Sequence, residues 1–206
     1  MLSIPSATAR QANGFSNCAV SDSVSDVSFS SGRRYRWWLR RCLDSGRGTL
    51  LFIGLNPSVA DDRRDDPTLR RLCGFARSWG YAELVVLNLF ARVATEPTLL
   101  KRLEDPVGAA NDQVLLDWGK RWSVDSAVDL WCGWGSRGGC LDRDRTVAAL
   151  LQPCWVHRQN VFAAARGPLT IGVNRNGMPR HPLYACRDLQ LKAFVWAANG
   201  SIRHPE

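Results

Sequence analysis

Short unbroken apolar runs alternate along this chain with segments whose apolar residues recur every three or four positions. The runs at 49–54, 84–89 and 127–132 are almost wholly apolar, the pattern of strands buried on both faces. A fourth strand is expected at 169–173. Between the first two, Asp66-Pro67 opens a helix, with aspartate as its cap and proline in its first turn. Leu69, Leu72, Cys73, Ala76 and Trp79 share one face of it, and Gly80 ends it. Asp105-Pro106 opens a second helix, with Val107, Val114, Leu115, Trp118 and Trp122 turned inward. Further helices are expected at 143–151 and at 189–198, the latter closing the chain. Strand and helix in strict alternation predict an α/β fold, a mostly parallel central sheet between helix layers. In such sheets ligands sit at the carboxyl ends of the strands.

Two segments lie outside this alternation. Residues 1–30 hold eight serines and read as a flexible polar leader, leaving 31–206 as a single domain. The stretch 33–41 carries arginines at 33, 34, 36, 40 and 41 around Tyr35, Trp37 and Trp38. It fits an edge strand or a short helix, and either a solvated face or one that grips phosphates.

Composition narrows the classes. Of 206 residues, 45% are hydrophobic and 22% charged, which supports a packed core and excludes global disorder. No run of 18 apolar residues occurs, and the start lacks a basic and then apolar signal pattern, so neither membrane nor export is expected. The seven cysteines, at 18, 42, 73, 132, 140, 154 and 186, are odd in number, widely spaced and without a CxxC pair. That argues against a disulfide framework or a zinc ribbon and for reduced thiols in a cytoplasmic protein. The net charge is +8, and residues 1–30 hold one basic and two acidic side chains. The basic excess therefore belongs to the body and suits a nucleic-acid partner. Most of the nine tryptophans are expected in the core, with a few able to stack on bases.

Candidate chemistry collects where strands end. Gly54-Leu55-Asn56-Pro57-Ser58, Asn88-Leu89-Phe90, Gly133-Trp134-Gly135 and the late Gly177-Met178-Pro179-Arg180-His181-Pro182-Leu183 would all reach one rim of the sheet. Asn56 before a proline suits a turn as well as a catalytic position. Asn88, after four apolar residues, is an amide that needs partners once buried. His181 fits a solvated loop or a site. Phosphate-loop, dinucleotide-loop, nucleophile-elbow and zinc-deaminase motifs are absent from the sequence. Three histidines make a histidine-rich metal site an unpromising reading, and no metal is expected. Asp61, Asp62, Asp65 and Asp66, with Arg63 and Arg64 between them, fit either a solvated loop with a helix cap or the carboxylates of a magnesium-dependent nuclease.

The segments FIGLNPSVADDRRDDPTLRR from Phe52, WGYAELVVLNLFARVATEP, DPVGAAND and GMPRHPLY together resemble a bacterial and phage family known as domain of unknown function 1643, over about residues 33–185. A more distant likeness is to the uracil-DNA glycosylase superfamily. Its first motif of the form GxNPG or GxDPY, strand-end asparagine and late HPS motif are matched by 54–58, Asn88 and His181-Pro182-Leu183. That resemblance implies a three-layer α/β/α sandwich and a monofunctional glycosylase that flips a base out of DNA and leaves an abasic site. It implies Asn56 and His181 as catalytic residues, the one holding the water and the other the departing base. Asn88, Ser58, Pro57 and Phe90 would bind the base, with Asp65 or Asp66 as auxiliary carboxylate. Arg33, Arg34, Arg175 and Arg180 would hold DNA phosphates. Leu183 replaces the usual serine of the late motif, and the cysteine pattern of the iron–sulfur branches is missing, so no cofactor is implied. The small Ser58 stands where one branch has a tyrosine that blocks the pyrimidine C5 position. An open wall there suits a bulky C5-modified pyrimidine such as glucosylated hydroxymethylcytosine of phage DNA, and hence antiviral defence. A monomer acting on DNA is expected. A nucleic-acid or nucleotide-binding protein without catalysis is the alternative from another class, and the magnesium-dependent nuclease a second.

Overall fold

In a computed structural model the described residues are 26–43, 45–58 and 65–196. They form one seven-stranded mixed sheet with helices on both faces. The strands are β1 (Asp26–Phe29), β2 (Arg36–Cys42), β3 (Thr49–Gly54), β4 (Glu83–Asn88), β5 (Val128–Cys132), β6 (Leu169–Thr170) and β7 (Lys192–Ala193). The helices are α1 (Pro67–Ser78), α2 (Asn111–Val124) and α3 (Arg143–Val161). Strand order is β1-β2-β4-β3-β5-β6-β7. The central strands β4, β3, β5 and β6 run parallel. At both edges the pairing turns antiparallel. The parallel sheet expected from the alternation is thus confined to the middle.

β3, β4 and β5 are buried at every position, which explains their continuous apolar runs. Alternate residues serve opposite faces. Leu51, Ile53, Val85, Leu87, Leu130 and Cys132 pack with Leu115, Trp118 and Trp122 of α2 and Val147, Leu151 and Cys154 of α3. Leu50, Phe52, Leu84, Val86 and Trp131 pack on the other side with Leu69, Leu72, Cys73, Phe75 and Ala76 of α1. The α1 start is the one expected: the Asp66 carboxylate accepts from the Leu69 amide at 2.6 Å, with Pro67 in the first turn.

Other expectations need correction. β1 lies inside the stretch read as a leader, so order begins no later than Asp26; residues 1–25 lie outside the described residues. The 33–41 segment is neither edge nor helix. β2 sits between β1 and β4, because the carboxylates of Glu83 and Asp65 meet Arg40 and Arg41. Asp105-Pro106 makes a turn in which Asp105 accepts from the Gly108 amide, and α2 begins only at Asn111. α3 does not stop near Leu151 but runs through Pro153, which sits on an exposed side of the helix, where the carbonyl left without its N–H partner can meet water. The fourth strand shrinks to Leu169–Thr170. The expected closing helix is absent within 189–196, where β7 pairs with β6 and the Phe194 amide donates to the Pro168 carbonyl at 2.8 Å. Residues 197 and 198 lie outside the described residues.

Candidate functional site

A cavity of about 390 Å³ opens at the carboxyl ends of β3, β4 and β5. The topology makes room for it there. β3 hands the chain through α1 to β4 on one side, and the chain returns through α2 to β5 on the other. Phe52, Leu55, Leu69, Leu72, Val86 and Trp134 supply apolar wall, and Asn56, Ser58, Asp66, Asn88 and His181 supply the polar groups. Four segments distant in sequence therefore meet as expected.

Each polar group is held by its neighbours. Asn56 gives one amide hydrogen-bond donor to the Ala94 carbonyl at 2.7 Å and another to the Pro57 carbonyl at 3.0 Å. Both hydrogens being committed, the amide orientation is fixed and Oδ1 remains as its acceptor. Asn88 ends β4 opposite Gly54 on β3. A Cβ on Gly54 would stand 3.0 Å from the Asn88 Oδ1, so glycine makes room for this side chain. Asn88 is 3% exposed, and its Nδ2 finds no hydrogen-bond partner among the described residues. A buried donor left unmet costs about 1–3 kcal/mol, so it marks a place where a ligand acceptor is wanted.

His181 caps the short turn Pro182–Tyr184, its Nδ1 accepting from the Leu183 amide at 3.2 Å. Burial lowers its pKa below the usual imidazole range, and the nearby Asp66 charge only partly opposes this. The ring is therefore neutral near pH 7, with its proton on Nε2, the nitrogen that can donate to a ligand. Gly135 adopts φ +77°, and a Cβ there would come within 3.2 Å of the His181 Cβ. Glycine on the β5 loop thus lets the histidine loop approach, and the Gly135 amide donates to the Pro179 carbonyl. Asp66 has both oxygens engaged, by the Leu69 amide and by the Ser58 hydroxyl.

Some expected site residues lie elsewhere. Phe90 is fully buried in the core beneath α2 and α3 and cannot stack on a ligand. Pro57 is buried behind the wall, where its carbonyl accepts from Asn56 and from the Ala94 amide. Asp65 pairs with Arg41 at 2.7 Å and is outside the wall, so of the two auxiliary carboxylates only Asp66 reaches the cavity. Asp61 and Asp62 lie outside the described residues, as do Arg63 and Arg64. Arg33, Arg34, Arg175 and Arg180 are exposed. Arg175 lies in the loop of a hairpin closed by Val173 and Pro179, and Arg180 follows that hairpin directly before His181. Arg34 is joined through its carbonyl to the Val93 amide, next to Ala94 and Thr95 of the cavity wall.

The structure gives Arg36 of the arginine cluster a place other than the phosphate-gripping face considered for it, and it adds residues that the sequence did not single out. Arg36, 4% exposed, stands in the wall, and Arg137 stands exposed at the mouth. Asn111, 1% exposed, donates to the carbonyls of Asn88 and Leu89, and Arg143 donates to the Leu89 carbonyl at 2.7 Å. Together they fix the end of β4 that carries Asn88. The asparagine within the DPVGAAND segment was the available signal for this role.

A family model described as "Protein of unknown function (DUF1643)" matches residues 36–183. Neither the curated proteins nor the solved structures contain a match.

Proposed function

The chain belongs to the DUF1643 family, and we propose that it is a DNA glycosylase that excises a modified pyrimidine. One observation carries this reading: the unmet Asn88 Nδ2 is buried in a cavity that also holds Asn56 and the neutral His181. These are the groups that the likeness to the uracil-DNA glycosylase superfamily calls for, in the order and strand context it calls for. Helices on both sheet faces suit the layered fold that this likeness implies.

The chemistry follows from what each group offers. A base flipped from the helix enters the cavity and meets the Asn88 amide along its pairing edge. Asn56 Oδ1 accepts a hydrogen bond from the attacking water and orients it, since an amide is too weak a base to deprotonate it. His181 Nε2–H donates to the base oxygen on which negative charge develops. Exposed Arg33, Arg34, Arg175 and Arg180 grip phosphates on either side of the mouth. Ser58 leaves the wall small, and its pair with Asp66 offers oxygens to a hydroxyl-bearing group on the pyrimidine C5.

The test is incubation with duplexes carrying uracil, hydroxymethylcytosine or glucosylated hydroxymethylcytosine, with mass spectrometry of released base. Free base and abasic sites, formed equally with a chelator present, support the reading. Binding without release favours a binding protein, and chelator-sensitive strand cleavage favours a nuclease. Ser58→Tyr is expected to suppress release of the glucosylated base far more than release of uracil; equal effects on both would remove the open-wall argument. DNA affinity is expected to fall steeply with salt. Arg175→Ala with Arg180→Ala should flatten the log–log slope by about two units, since each lost phosphate contact is worth about 0.9. An unchanged slope in a salt titration would take these arginines out of the interface.

A further inference from the structure

We infer that Arg36 is a catalytic residue of this site, its guanidinium offsetting the negative charge that the base acquires as its glycosidic bond breaks. This rests on reading the cavity as a base pocket. Arg36 is the first residue of β2 and the one arginine of the 33–41 cluster in the cavity wall. Arg33 and Arg34 are exposed, Arg40 is paired with Glu83, and Arg41 with Asp65. At 4% exposure, Arg36 is too deep for a surface phosphate.

The electrostatics of the cavity call for such a charge. His181 is neutral and contributes only a hydrogen bond. Asp66 is a carboxylate in the same wall, and alone it would disfavour a second anion. Burial lowers the Arg36 pKa to about 10, so the group remains a cation at neutral pH, and Asp66 reinforces that state. A cation shielded from water acts on a neighbouring charge far more strongly than an exposed one. In the step proposed, the C1′–N1 bond breaks and its electron pair goes to the base, spread over N1 and the ring carbonyl oxygen. The water oxygen bonds to C1′, its proton passes to solvent, and the base anion takes a proton from solvent. One water is consumed, and an abasic site and a neutral base result.

A group that stabilises the leaving anion matters most for the poorest leaving group. The experiment compares single-turnover release of the 5-fluoro and 5-hydroxymethyl forms of whichever pyrimidine, uracil or cytosine, the wild type releases. In Arg36→Gln both rates should fall, and the advantage of the more acidic 5-fluoro base should grow by about tenfold. Arg36→Lys should keep the advantage near that of the wild type. The ratio is read within one preparation and does not depend on the folded fraction. A wild-type measurement accompanies it: free 5-nitrouracil, whose ionisation shows in its absorbance, should bind as the anion even at a pH low enough that the compound in solution is neutral. An unchanged ratio in Arg36→Gln, or 5-nitrouracil bound as the neutral form, overturns the role of Arg36 and leaves the glycosylase reading standing. Absence of base release by the wild type overturns that reading and this inference with it.

Discussion

His181→Ala is expected to slow base release by a factor on the order of 10² or more, and Asn56→Ala to do the same, with both proteins folded. Neither side chain holds the core together. Asn56 makes two hydrogen bonds to loop carbonyls, that of Pro57 beside it and that of Ala94 beyond β4, and His181 makes one to the turn that it caps. Thermal melting should therefore move little while the rate collapses. The pH dependence of the rate distinguishes the histidine further. Burial holds its pKa below the usual imidazole range, so the neutral ring persists as the medium becomes mildly acid. Release should stay level through that range and fall only at lower pH, where protonation of Nδ1 ends its acceptance from the Leu183 amide. His181→Gln should lack this acid limb. Stability carries the same sign. The folded state binds fewer protons than the unfolded chain, so this contribution is complete above the ordinary imidazole range. It is lost as pH falls through that range toward the lowered value. A His181→Ala rate close to wild type, or an acid limb that survives His181→Gln, would take His181 out of the chemistry.

The parts of the fold that could be read in advance are those where one physical demand dominates. β3, β4 and β5 are buried on both faces, so their apolar runs are unbroken, and Asp66 announces α1 because an N-cap is a local device. The site was legible for the same reason, since polar residues that follow buried strands must end at one rim. β2 was ambiguous because its arginines look like a surface. Only the carboxylates of Glu83 and Asp65, 43 and 24 residues away, make a strand interior of them. Phe90 misled by position. It follows Asn88 closely, yet its amide donates to the Leu55 carbonyl and its ring fills the core. The closing segment carries helical spacing, but pairing with β6 decides its state. Tertiary partners settle such segments, and no local pattern shows them.

The arginines divide in a way that net charge conceals, and Arg158 is the extreme case. Arg158→Leu is expected to cost about 3–5 kcal/mol of stability, the range for breaking a buried charged cluster. The melting temperature should drop on the order of 10 °C in a chain of this size. Arg158 lies on α3 at 2% exposure. Its guanidinium donates to the carbonyl of Asp125 at 2.8 Å, to that of Arg166 at 3.0 Å and to that of Trp122. It also lies over the rings of Trp122 and Phe162, at 5.4 and 5.3 Å from their centres. Leucine fills part of the volume but leaves the three carbonyls without this donor, and it removes one of the two positive charges facing Asp129, leaving Arg166 at 2.5 Å. The site lies at the far ends of β3 and β4 and shares no residue with this cluster. Base release per folded molecule and the salt slope of DNA binding should therefore match the wild type below the new melting point. That contrast separates an arginine that holds α3 to the body from those proposed to meet phosphate. Urea or thermal unfolding beside single-turnover release measures both quantities. A variant as stable as the wild type would show that the three carbonyls find other donors.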